Sequence, residues 1–396
     1  MRDFESYKDF MEKCSHCSYC EATCPVYLED LLETHVARAR MELIRAVLVD
    51  EEMPVTDRFK EIIDRCLLCT NCRQTCPVNV PVEEIVIAAR NKLYKGKRMG
   101  MIKRKLLKQI MENRGISGAI GKLSNIAKVA GVKNIPDIPS KSFDDQYEAG
   151  TYPPEGEVRA KVVYYAGCAT NTMFPETGDI VMKVLKKNGI EVVIPEGLSC
   201  CGIPAISEGD LNTASEMIKR NIEVLSKTDT DIIITDCTSC GMTFKEKVVN
   251  TLDVDDEFKE KAIAVSMKFR EITEYLMDIG LTEKIKPVKE KVTYHVPCHR
   301  GWSETVSDAP RKLMEMIPDL TVVEMEHPEK CCGAGGAFFM ENKELSEGIR
   351  SKKTGEIKQT GASILITQCP SCRSYIGNSS DNDLKIMHPL NLLLLK

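Results

Sequence analysis

The sequence has no long hydrophobic run, little aromatic content and no excess of basic charge. Its longest apolar run near either end, Leu392 to Leu395, is far shorter than the ~20 residues of a membrane-spanning helix. The first residues, Met1 to Glu5, lack the apolar core of a signal peptide. With a net charge of −5 and 6% aromatic residues, the chain has no basic, aromatic-rich segment suited to nucleic acid. We therefore predict a cytoplasmic protein with no transmembrane segment of its own, whose membrane association would come through a partner protein.

The sequence also lacks the G-x-G-x-x-G fingerprint of dinucleotide-binding folds, so a flavin or nicotinamide would have to be bound by a partner.

Cysteine, in contrast, is abundant, with 18 residues in a chain of 396. In a reducing compartment, clustered cysteines bind metals more often than they form disulfides. The chain is long enough for two or three domains, and its 43% hydrophobic and 29% charged content is that of a globular protein.

Two C-x2-C-x2-C-x3-C-P runs of the bacterial ferredoxin type lie near the N-terminus. The first three cysteines of each run are spaced to hold one cluster, and the fourth, before proline, serves the neighbouring cluster. We predict one cubane [4Fe-4S] cluster held by Cys14, Cys17, Cys20 and Cys76, and another held by Cys66, Cys69, Cys72 and Cys24. Two four-thiolate zinc sites are the alternative, which the four thiols and the proline of each run disfavour.

The N-terminal region is predicted to be a helical domain, residues 1–95. Forty-one residues separate Cys24 from Cys66, too many for a compact ferredoxin hairpin, and apolar residues recur at helical spacing from Val36 to Val49. A second helix is predicted over Val82–Tyr94. Residues 96–158 are predicted to be a basic helical and irregular linker. Its Lys95–Lys108 end carries seven basic residues and no acid, which indicates a solvated helix face or a docking surface for an acidic partner.

The C-terminal region is an internal duplication. Cys168, a Cys200-Cys201-Gly202 triplet and a C-x2-C pair recur with matching cysteines 130 to 132 residues apart. The two five-thiol sets are Cys168, Cys200, Cys201, Cys237 and Cys240, and Cys298, Cys331, Cys332, Cys369 and Cys372. Each copy alternates short apolar runs with helical patterns, which predicts parallel βαβ units. The two copies define predicted domains 159–285 and 286–396, and the whole chain is an α+β multi-domain protein.

The cysteines of each copy are predicted to meet at one sheet edge. Strands predicted over Lys161–Ala166, Asp231–Thr235, Val292–Val296 and Ser363–Thr367 each run directly into a cysteine. Ligands of open parallel sheets bind outside the carboxyl ends of the strands. An iron-sulfur cluster with an extra bridging thiolate is the leading interpretation of five thiols, and a zinc site in either half is the alternative.

These motifs resemble the CCG domains of heterodisulfide reductase, found in its B and D subunits. Joined to a two-cluster ferredoxin domain on one chain, the layout resembles the D-type component of the membrane-linked heterodisulfide reductase. It is also similar to the iron-sulfur subunits of glycolate or lactate oxidase and of anaerobic glycerol-3-phosphate dehydrogenase. The resemblance implies that each five-cysteine set holds a noncubane [4Fe-4S] cluster, and that the two clusters face one another around a substrate disulfide. All ten cysteines are present, which favours the disulfide-reducing branch.

The resemblance further implies reduction of the coenzyme M–coenzyme B heterodisulfide, with electrons from a redox partner subunit, either a membrane cytochrome b or a flavoprotein. His299 and His295, beside Cys298, are candidate catalytic proton donors to the leaving thiolate, and Arg300 is a candidate for offsetting substrate charge. A histidine that only hydrogen-bonds to a cluster sulfur or to the backbone is the alternative. The competing hypothesis is an electron-transfer subunit of a flavin-dependent lactate, glycolate or glycerol-3-phosphate dehydrogenase.

Overall fold

The computed structural model describes residues 4–98, 138–248, 254–378 and 384–395, together with residues 105, 108, 109, 111, 112 and 114. A helical N-terminal region is followed by two α/β halves, each built around its own sheet. This arrangement confirms the α+β fold class with two duplicated units of parallel strands.

The N-terminal region is made of short helices. They are α1 (Phe4–Glu12), α2 (Tyr19–Thr23), α3 (Tyr27–Asp30), α4 (Ala37–Ile44), α5 (Asp57–Asp64), α6 (Asn71–Thr75) and α7 (Val82–Tyr94). A 3-10 turn precedes α4 at Glu33–His35, and a π-helical turn continues it over Arg45–Val49. The helices predicted over Val36–Val49 and Val82–Tyr94 are therefore present, the first with a change of helical pitch at its end.

Helix α7 is the centre of the N-terminal region. Its residues from Val82 to Arg90 are all buried, because α4 and α5 pack on it from one side and the core of the first α/β half meets it from the other. The Arg90 guanidinium donates hydrogen bonds to the carbonyls of Ile63 (3.2 Å), Asp64 (3.1 Å) and Cys66 (2.7 Å). These bonds satisfy carbonyl groups at the end of α5 and fix the backbone where the second cysteine run begins.

The two sheets share one topology. The first has the order β1-β3-β2-β4-β5, with β1 antiparallel and the other strands parallel, and the second has the parallel order β7-β6-β8-β9. The strands are β1 (Gly150–Tyr152), β2 (Ala160–Tyr164), β3 (Ile190–Ile194), β4 (Ile233–Thr235), β5 (Phe269–Glu271), β6 (Lys291–Tyr294), β7 (Thr321–Val322), β8 (Ile364–Ile366) and β9 (Lys385–Met387). The order β3-β2-β4-β5 thus recurs as β7-β6-β8-β9, and the cysteine duplication is a duplication of a whole sheet.

Helices accompany each sheet in the same sequence order. The first half has Cys168–Thr172, Pro175–Lys187, Ile203–Ser207, Leu211–Leu225, Thr238–Met242, the π-helical turn Thr243–Lys247, Asp256–Lys268 and Ile272–Ile279. The second half has Ala309–Glu315, Phe338–Glu341, Lys343–Thr360, Pro370–Gly377 and the 3-10 helix Pro389–Leu394. The helices that follow matching cysteines, such as Thr238–Met242 and Pro370–Gly377, occupy matching places.

The first half begins before residue 159, the boundary predicted from the sequence. Strand β1 lies within the stretch assigned to the linker and pairs with β3. Phe143 is fully buried and packs so closely on Gly178 that a Cβ there would lie 2.4 Å from its ring. A three-residue edge strand beside prolines gives almost no periodic signal, so the sequence did not indicate β1. The glycine-rich part of the predicted linker, residues 115–136, lies outside the described residues.

Arg98 is an exception within the basic segment Lys95–Lys108, of which residues 99–104, 106 and 107 lie outside the described part of the chain, while Lys95, Lys97 and Lys105 are exposed as predicted. Its side chain is 6% exposed and pairs with Asp64 at 2.8 Å and with Glu208 and Glu341. These carboxylates belong to the N-terminal region, the first half and the second half, respectively. Arg98 therefore connects all three parts of the molecule.

The two halves pack around an approximate twofold relation. Trp302, which follows Cys298, donates a hydrogen bond from its indole N–H to the Thr238 carbonyl at 3.0 Å. In the reciprocal contact, Arg373 of the second half stacks on the Phe174 ring of the first, 4.1 Å from its centroid. In each half, the helix that follows the C-x2-C pair thus contacts the other half, at the segment that follows the first cysteine of its set, Cys168 or Cys298.

Gly241→Ala is expected to destabilise this contact, because the new Cβ would lie 2.2 Å from Cζ2 of the buried Trp302 ring. Overpacking of this kind costs about 1–3 kcal/mol. The matched control is Gly355→Ala, a helical glycine with no atom within 4 Å of the new Cβ, which should be neutral or stabilising. Urea unfolding of both variants measures the difference. Equal stability of the two variants would contradict the packing described here.

Candidate metal centres

The two N-terminal cysteine runs have the same local backbone. Ser18 and Thr70, each in the centre of a run, adopt left-handed conformations with φ of 68° and 60°. Short helices α2 and α6 follow, and each ends at a cysteine with extended backbone, Cys24 or Cys76. Since the residue before a proline disfavours the helical conformation, Pro25 and Pro77 turn these cysteines away from their own run.

Helices α2 and α6 pack against each other, and two cavities form beside them. One is lined by the first four-thiol set, Cys14, Cys17, Cys20 and Cys76, and also by Cys72. The other is lined by the second set, Cys24, Cys66, Cys69 and Cys72. The structure therefore brings together each crossed set that the sequence predicted. Cys72 lies in the wall between the two cavities.

The C-terminal cysteines gather at the carboxyl ends of the strands in both halves. In the first half Cys168 Sγ lies 3.2 Å from Cys200 Sγ, and in the second half Cys332 Sγ lies 3.3 Å from Cys372 Sγ. The glycine after each doublet has a left-handed backbone, with φ of 90° at Gly202 and 91° at Gly333. A left-handed residue reverses the chain there, which directs both sulfurs of a doublet toward one point.

Thiols packed this closely cannot all ionise independently. A hydrogen bond from Cys200 is the main cause that holds the pKa of Cys201 well below its usual range, and Cys331 does the same for Cys332. The pKa of Cys200 is raised well above its usual range by the same kind of contact. All five thiols of a set can lose their protons only if a multivalent cation neutralises the charge of the thiolates. Thiolates are also the form of cysteine that binds metal.

The two C-x2-C pairs differ in charge environment. Cys369 caps the helix Pro370–Gly377, and a hydrogen bond from the Cys372 thiol, with N–H groups of the first helical turn, lowers the pKa of Cys369 to about 6. The matching Cys237 lies at the N-cap position of Thr238–Met242. The hydrogen bond from Cys240 lowers its pKa, but burial, with Cys369 and Asp236 nearby, outweighs this effect, so its pKa is raised. The duplicated sites are thus unequal electrostatically.

A cavity of about 120 Å³ lies between the two halves, where the N-terminal region also meets them. Its wall includes the five cysteines of the second half and, from the first half, residues around the C-x2-C helix and the following π-helical turn: Cys298, Cys331, Cys332, Cys369, Cys372, Ser239, Met242 and Lys247. The cysteines of the first half are not among its lining residues. The cavity opens on the second set of thiols, whereas the sequence predicted a pocket between both sets.

Ser239 and His299 join the two halves at this cavity. The Ser239 hydroxyl lies 2.9 Å from His299 Nδ1 and 3.9 Å from Cys369 Sγ. Burial lowers the pKa of His299 to about 4, while the Leu68 carbonyl favours a proton on the ring. At neutral pH the ring is an uncharged imidazole, and Nδ1 accepts the hydrogen bond from the Ser239 hydroxyl.

His295 and Arg300 lie outside the lining of this cavity. His295 is 1% exposed, and burial lowers its pKa to about 3, so it does not carry the imidazolium proton at neutral pH. Its placement argues against a proton donor to a molecule in the cavity. Arg300 donates to the Pro297 carbonyl at 3.3 Å. Of the residues proposed beside Cys298, only His299 faces the cavity.

A buried group of charges joins α7 to the first half at the cavity wall. Lys247 Nζ lies 2.7 Å from Glu83 and 3.2 Å from Glu84, and all three side chains are at most 6% exposed. Arg73 pairs with Glu83 at 2.7 Å and with Glu246 at 3.3 Å. The lysine and arginine keep the pKa of Glu83 below its usual value despite burial. Charges of both signs thus compensate one another in the interior.

Comparison with known proteins agrees with this architecture. A 4Fe-4S dicluster domain matches residues 10–80, and the CCG cysteine-rich domain matches twice, at residues 162–245 and 292–377. An uncharacterized iron-sulfur protein of Methanococcus maripaludis is 31% identical over 94% of this chain and 68% of its own length. The chain belongs to the CCG family of iron-sulfur proteins. The thiol sets described above fit iron-sulfur clusters.

Other relatives have named functions. The probable glycolate oxidase iron-sulfur subunit of Bacillus subtilis is 27% identical over 91% of this chain and 86% of its own length. The B component of the fumarate reductase (CoM/CoB) of Methanothermobacter marburgensis is 29% identical over 98% of this chain and 73% of its own length. A solved structure of a hypothetical protein from Helicobacter pylori shares the fold, with a TM-score of 0.52 and 9% identity over 99% of this chain and 75% of that one.

No helix within the described ranges is both long and apolar enough to cross a membrane.

Two residues at the cavity of this CCG protein were not predicted from the sequence: Ser239, which faces the cavity, and Lys247, which lies in its wall. Ser239 had a signal, because the second C-x2-C pair of the duplication carries a serine at the same position, Ser371, which also lines the cavity. Lys247 had none, since an isolated lysine on a helical stretch normally indicates a solvated face.

Lys247→Met is expected to destabilise the protein by about 3–5 kcal/mol, because it leaves Glu83 and Glu84 short of a buried positive charge. The control is Lys261→Met, which breaks an ion pair with Glu223 between side chains 34% and 43% exposed and should cost at most about 1 kcal/mol. Chemical denaturation measures both. A loss no greater in Lys247→Met than in the control would contradict a buried, charged Lys247.

Proposed function

We propose that this chain is the iron-sulfur subunit of an oxidoreductase that reduces the coenzyme M–coenzyme B heterodisulfide in the cavity between its two halves. The cavity is the observation that carries the proposal. Its wall holds five thiols of one half, and Ser239 of the other half lies 3.9 Å from Cys369. The same five thiols are proposed to hold the cluster of the second half, so a disulfide bound in the remaining space would lie directly against that cluster.

Four clusters are proposed. Two cubane [4Fe-4S] clusters would be held by the crossed N-terminal sets, and two noncubane [4Fe-4S] clusters by the five-cysteine sets of the two halves. Bound there, iron-sulfur clusters supply one-electron transfer at potentials set by their surroundings. The complete sets of eight and ten cysteines fit this number of clusters.

Three of the four cysteine sets lie in series. Cys72 lines both N-terminal cavities, and Cys69 of the second set lies in one buried cluster with Cys331 of the second half. Thr70 Oγ1 donates to the Cys298 carbonyl at 2.9 Å, which holds the N-terminal region against that half. The outer end of the series is the Cys14 set, where Cys17 is exposed. A redox partner, either a membrane cytochrome b or a flavoprotein, is proposed to contact this end.

The protein groups at the cavity would position a disulfide. Reduction of a disulfide to two thiols takes two electrons and two protons, and solvent water would supply the protons as the thiols leave. The Ser239 hydroxyl directs its proton to His299 Nδ1, and this hydrogen bond fixes the hydroxyl oxygen at the edge of the cavity. Apolar side chains such as Leu67, Ile203 and Met242 limit the access of water to the thiols. His299 is thus proposed to act through Ser239.

The second candidate is an electron-transfer subunit of a flavin-dependent dehydrogenase for lactate, glycolate or glycerol 3-phosphate. The similarity to the glycolate oxidase iron-sulfur subunit of Bacillus subtilis and to lactate utilization protein A of Oceanobacillus iheyensis favours it. In this case the flavoprotein would carry out the chemistry, and the cavity would hold no substrate.

The assay that separates the two candidates uses the purified protein, reduced viologen and the coenzyme M–coenzyme B heterodisulfide under anaerobic conditions. We expect oxidation of the dye with release of two thiols for every two electrons. If a protein with about 16 iron atoms, four for each of four clusters, releases no thiol, the reductase proposal is wrong. Zinc in place of about half that iron would remove the two CCG clusters.

Met242→Phe tests the cavity without touching a cysteine. The larger ring fills space beside Ser239, so we expect a raised KM for the disulfide and an unchanged rate of electron transfer from viologen to a soluble acceptor. Met267→Phe is the matched control, because Met267 is 74% exposed. Steady-state kinetics of both variants measure the effect. An equal KM in both would show that the disulfide is not reduced in this cavity.

Cys76→Ser tests the crossed ligand sets. It should disturb the cluster of the first run, held by Cys14, Cys17 and Cys20, and Cys24→Ser should disturb that of the second. Since serine is a poor ligand for iron, the disturbed cluster should lose iron or change its signal in electron paramagnetic resonance. If Cys76→Ser gives the same spectrum as a change in its own run, such as Cys66→Ser, the crossed assignment is wrong.

A further inference from the structure

One buried position differs between the halves directly beside their thiol sets. Tyr165 follows β2 and His295 follows β6, and their backbone N–H groups donate to matching carbonyls of the neighbouring strands, Ile234 at 2.8 Å and Ile366 at 2.9 Å. The two residues are thus structural counterparts. The side chain that the duplication places at this point is a phenol in one half and an imidazole in the other.

The two side chains are satisfied in different ways. The Tyr165 hydroxyl donates to the Ser199 carbonyl at 2.7 Å, which accounts for its polar atom in a fully buried place. His295 is equally buried, and neither ring nitrogen has a hydrogen-bond partner among the described residues. A buried polar atom without a partner costs free energy, so an imidazole retained there indicates a ligand that completes the site.

The neighbours of His295 are metal-binding groups. A ring nitrogen of His295 and the sulfurs of Cys332 and Cys372 all lie within 4.8 Å of one another. Metal–nitrogen bonds measure about 2.0–2.1 Å and metal–sulfur bonds about 2.3 Å, so ligand atoms that share one metal lie about 3.5–4.5 Å apart. Cys332 Sγ and Cys372 Sγ lie 3.3 Å apart, slightly closer than two ligands of one metal, and the ring nitrogen lies within 4.8 Å of both, so the three atoms are near enough to converge on one metal ion.

The surroundings of the ring leave a nitrogen available to a metal. His295 is 1% exposed, and neither of its ring nitrogens donates to or accepts from another described group. An imidazole nitrogen is a common ligand of iron in proteins.

We propose that His295 supplies a nitrogen ligand to an iron atom of the second half's cluster, a ligand that the first half lacks; this inference rests on the proposed function in requiring an iron-sulfur cluster there. The second centre then has five sulfur ligands and one nitrogen ligand, and the first has sulfur ligands alone. His295 has no part in proton transfer, and its role is to make the two centres chemically different.

The test is pulsed electron paramagnetic resonance on the full-length protein with all clusters, prepared with 14N-histidine or 15N-histidine and poised at a series of potentials. We expect a histidine nitrogen coupling on one paramagnetic centre that changes with the isotope. His295→Tyr, which installs the residue of the first half, should abolish it and shift the reduction potential of one centre only. His295→Gln provides a second variant should the tyrosine not be accommodated.

His299→Gln is the control, because His299 is the other histidine beside this centre. The assignment is overturned if the nitrogen coupling persists in His295→Tyr, if it disappears in His299→Gln instead, or if it is absent from the wild-type protein. Iron and sulfide are measured on the same samples. If the iron content accounts for clusters in both halves but no histidine coupling is seen, only the role of His295 is overturned. If the iron content shows that the second half holds no cluster, this role and the proposed function are overturned together. Loss of heterodisulfide reduction with the coupling intact would overturn the function alone.

Discussion

The convergence of buried thiols at the ends of parallel strands is the constraint on which the structure depends. Sulfur atoms as close as 3.2 Å and 3.3 Å in the two halves cannot all be thiolates unless positive charge lies between them. The sheet order places the leading cysteine and the C-x2-C pair of each half on adjacent central strands, and the left-handed glycines bring in the doublets. The metal is therefore part of the interior that the sheets are built to surround.

Buried charges make the three parts of the molecule one body. Lys247 is enclosed with Glu83 and Glu84 where α7 meets the first half, and Arg98 binds one carboxylate from each part of the molecule. Such contacts are specific because each buried charge requires its partner. The consequence for function is geometric: the N-terminal sets are held at a fixed place against the second half, where Cys69 meets Cys331.

The fold and the cysteine sets could be predicted from the sequence because they depend on local spacing. The duplication, the strands before Cys168 and Cys298, and the helix Val82–Tyr94 all leave periodic or repeated signals. The short strand β1 and the roles of Ser239, Lys247 and Arg98 leave none, because they depend on residues far away in the chain. The histidines show the limit most clearly. Both lie near Cys298 in sequence, yet only His299 faces the cavity, and His295 faces thiols of its own half.

The crossed N-terminal sets also bear on how the protein is made. Cys14 and Cys76 line the same cavity, so that site cannot be complete until the second run has left the ribosome. Thr70 and the Cys298 carbonyl are 228 residues apart in sequence, and Arg98 and Glu341 are 243 apart, so the contacts of the N-terminal region with the second half form only when almost the whole chain has been synthesised. The last step of folding is therefore the one that covers the thiols at the junction of the three parts, and we expect iron and sulfide to enter those sites before it.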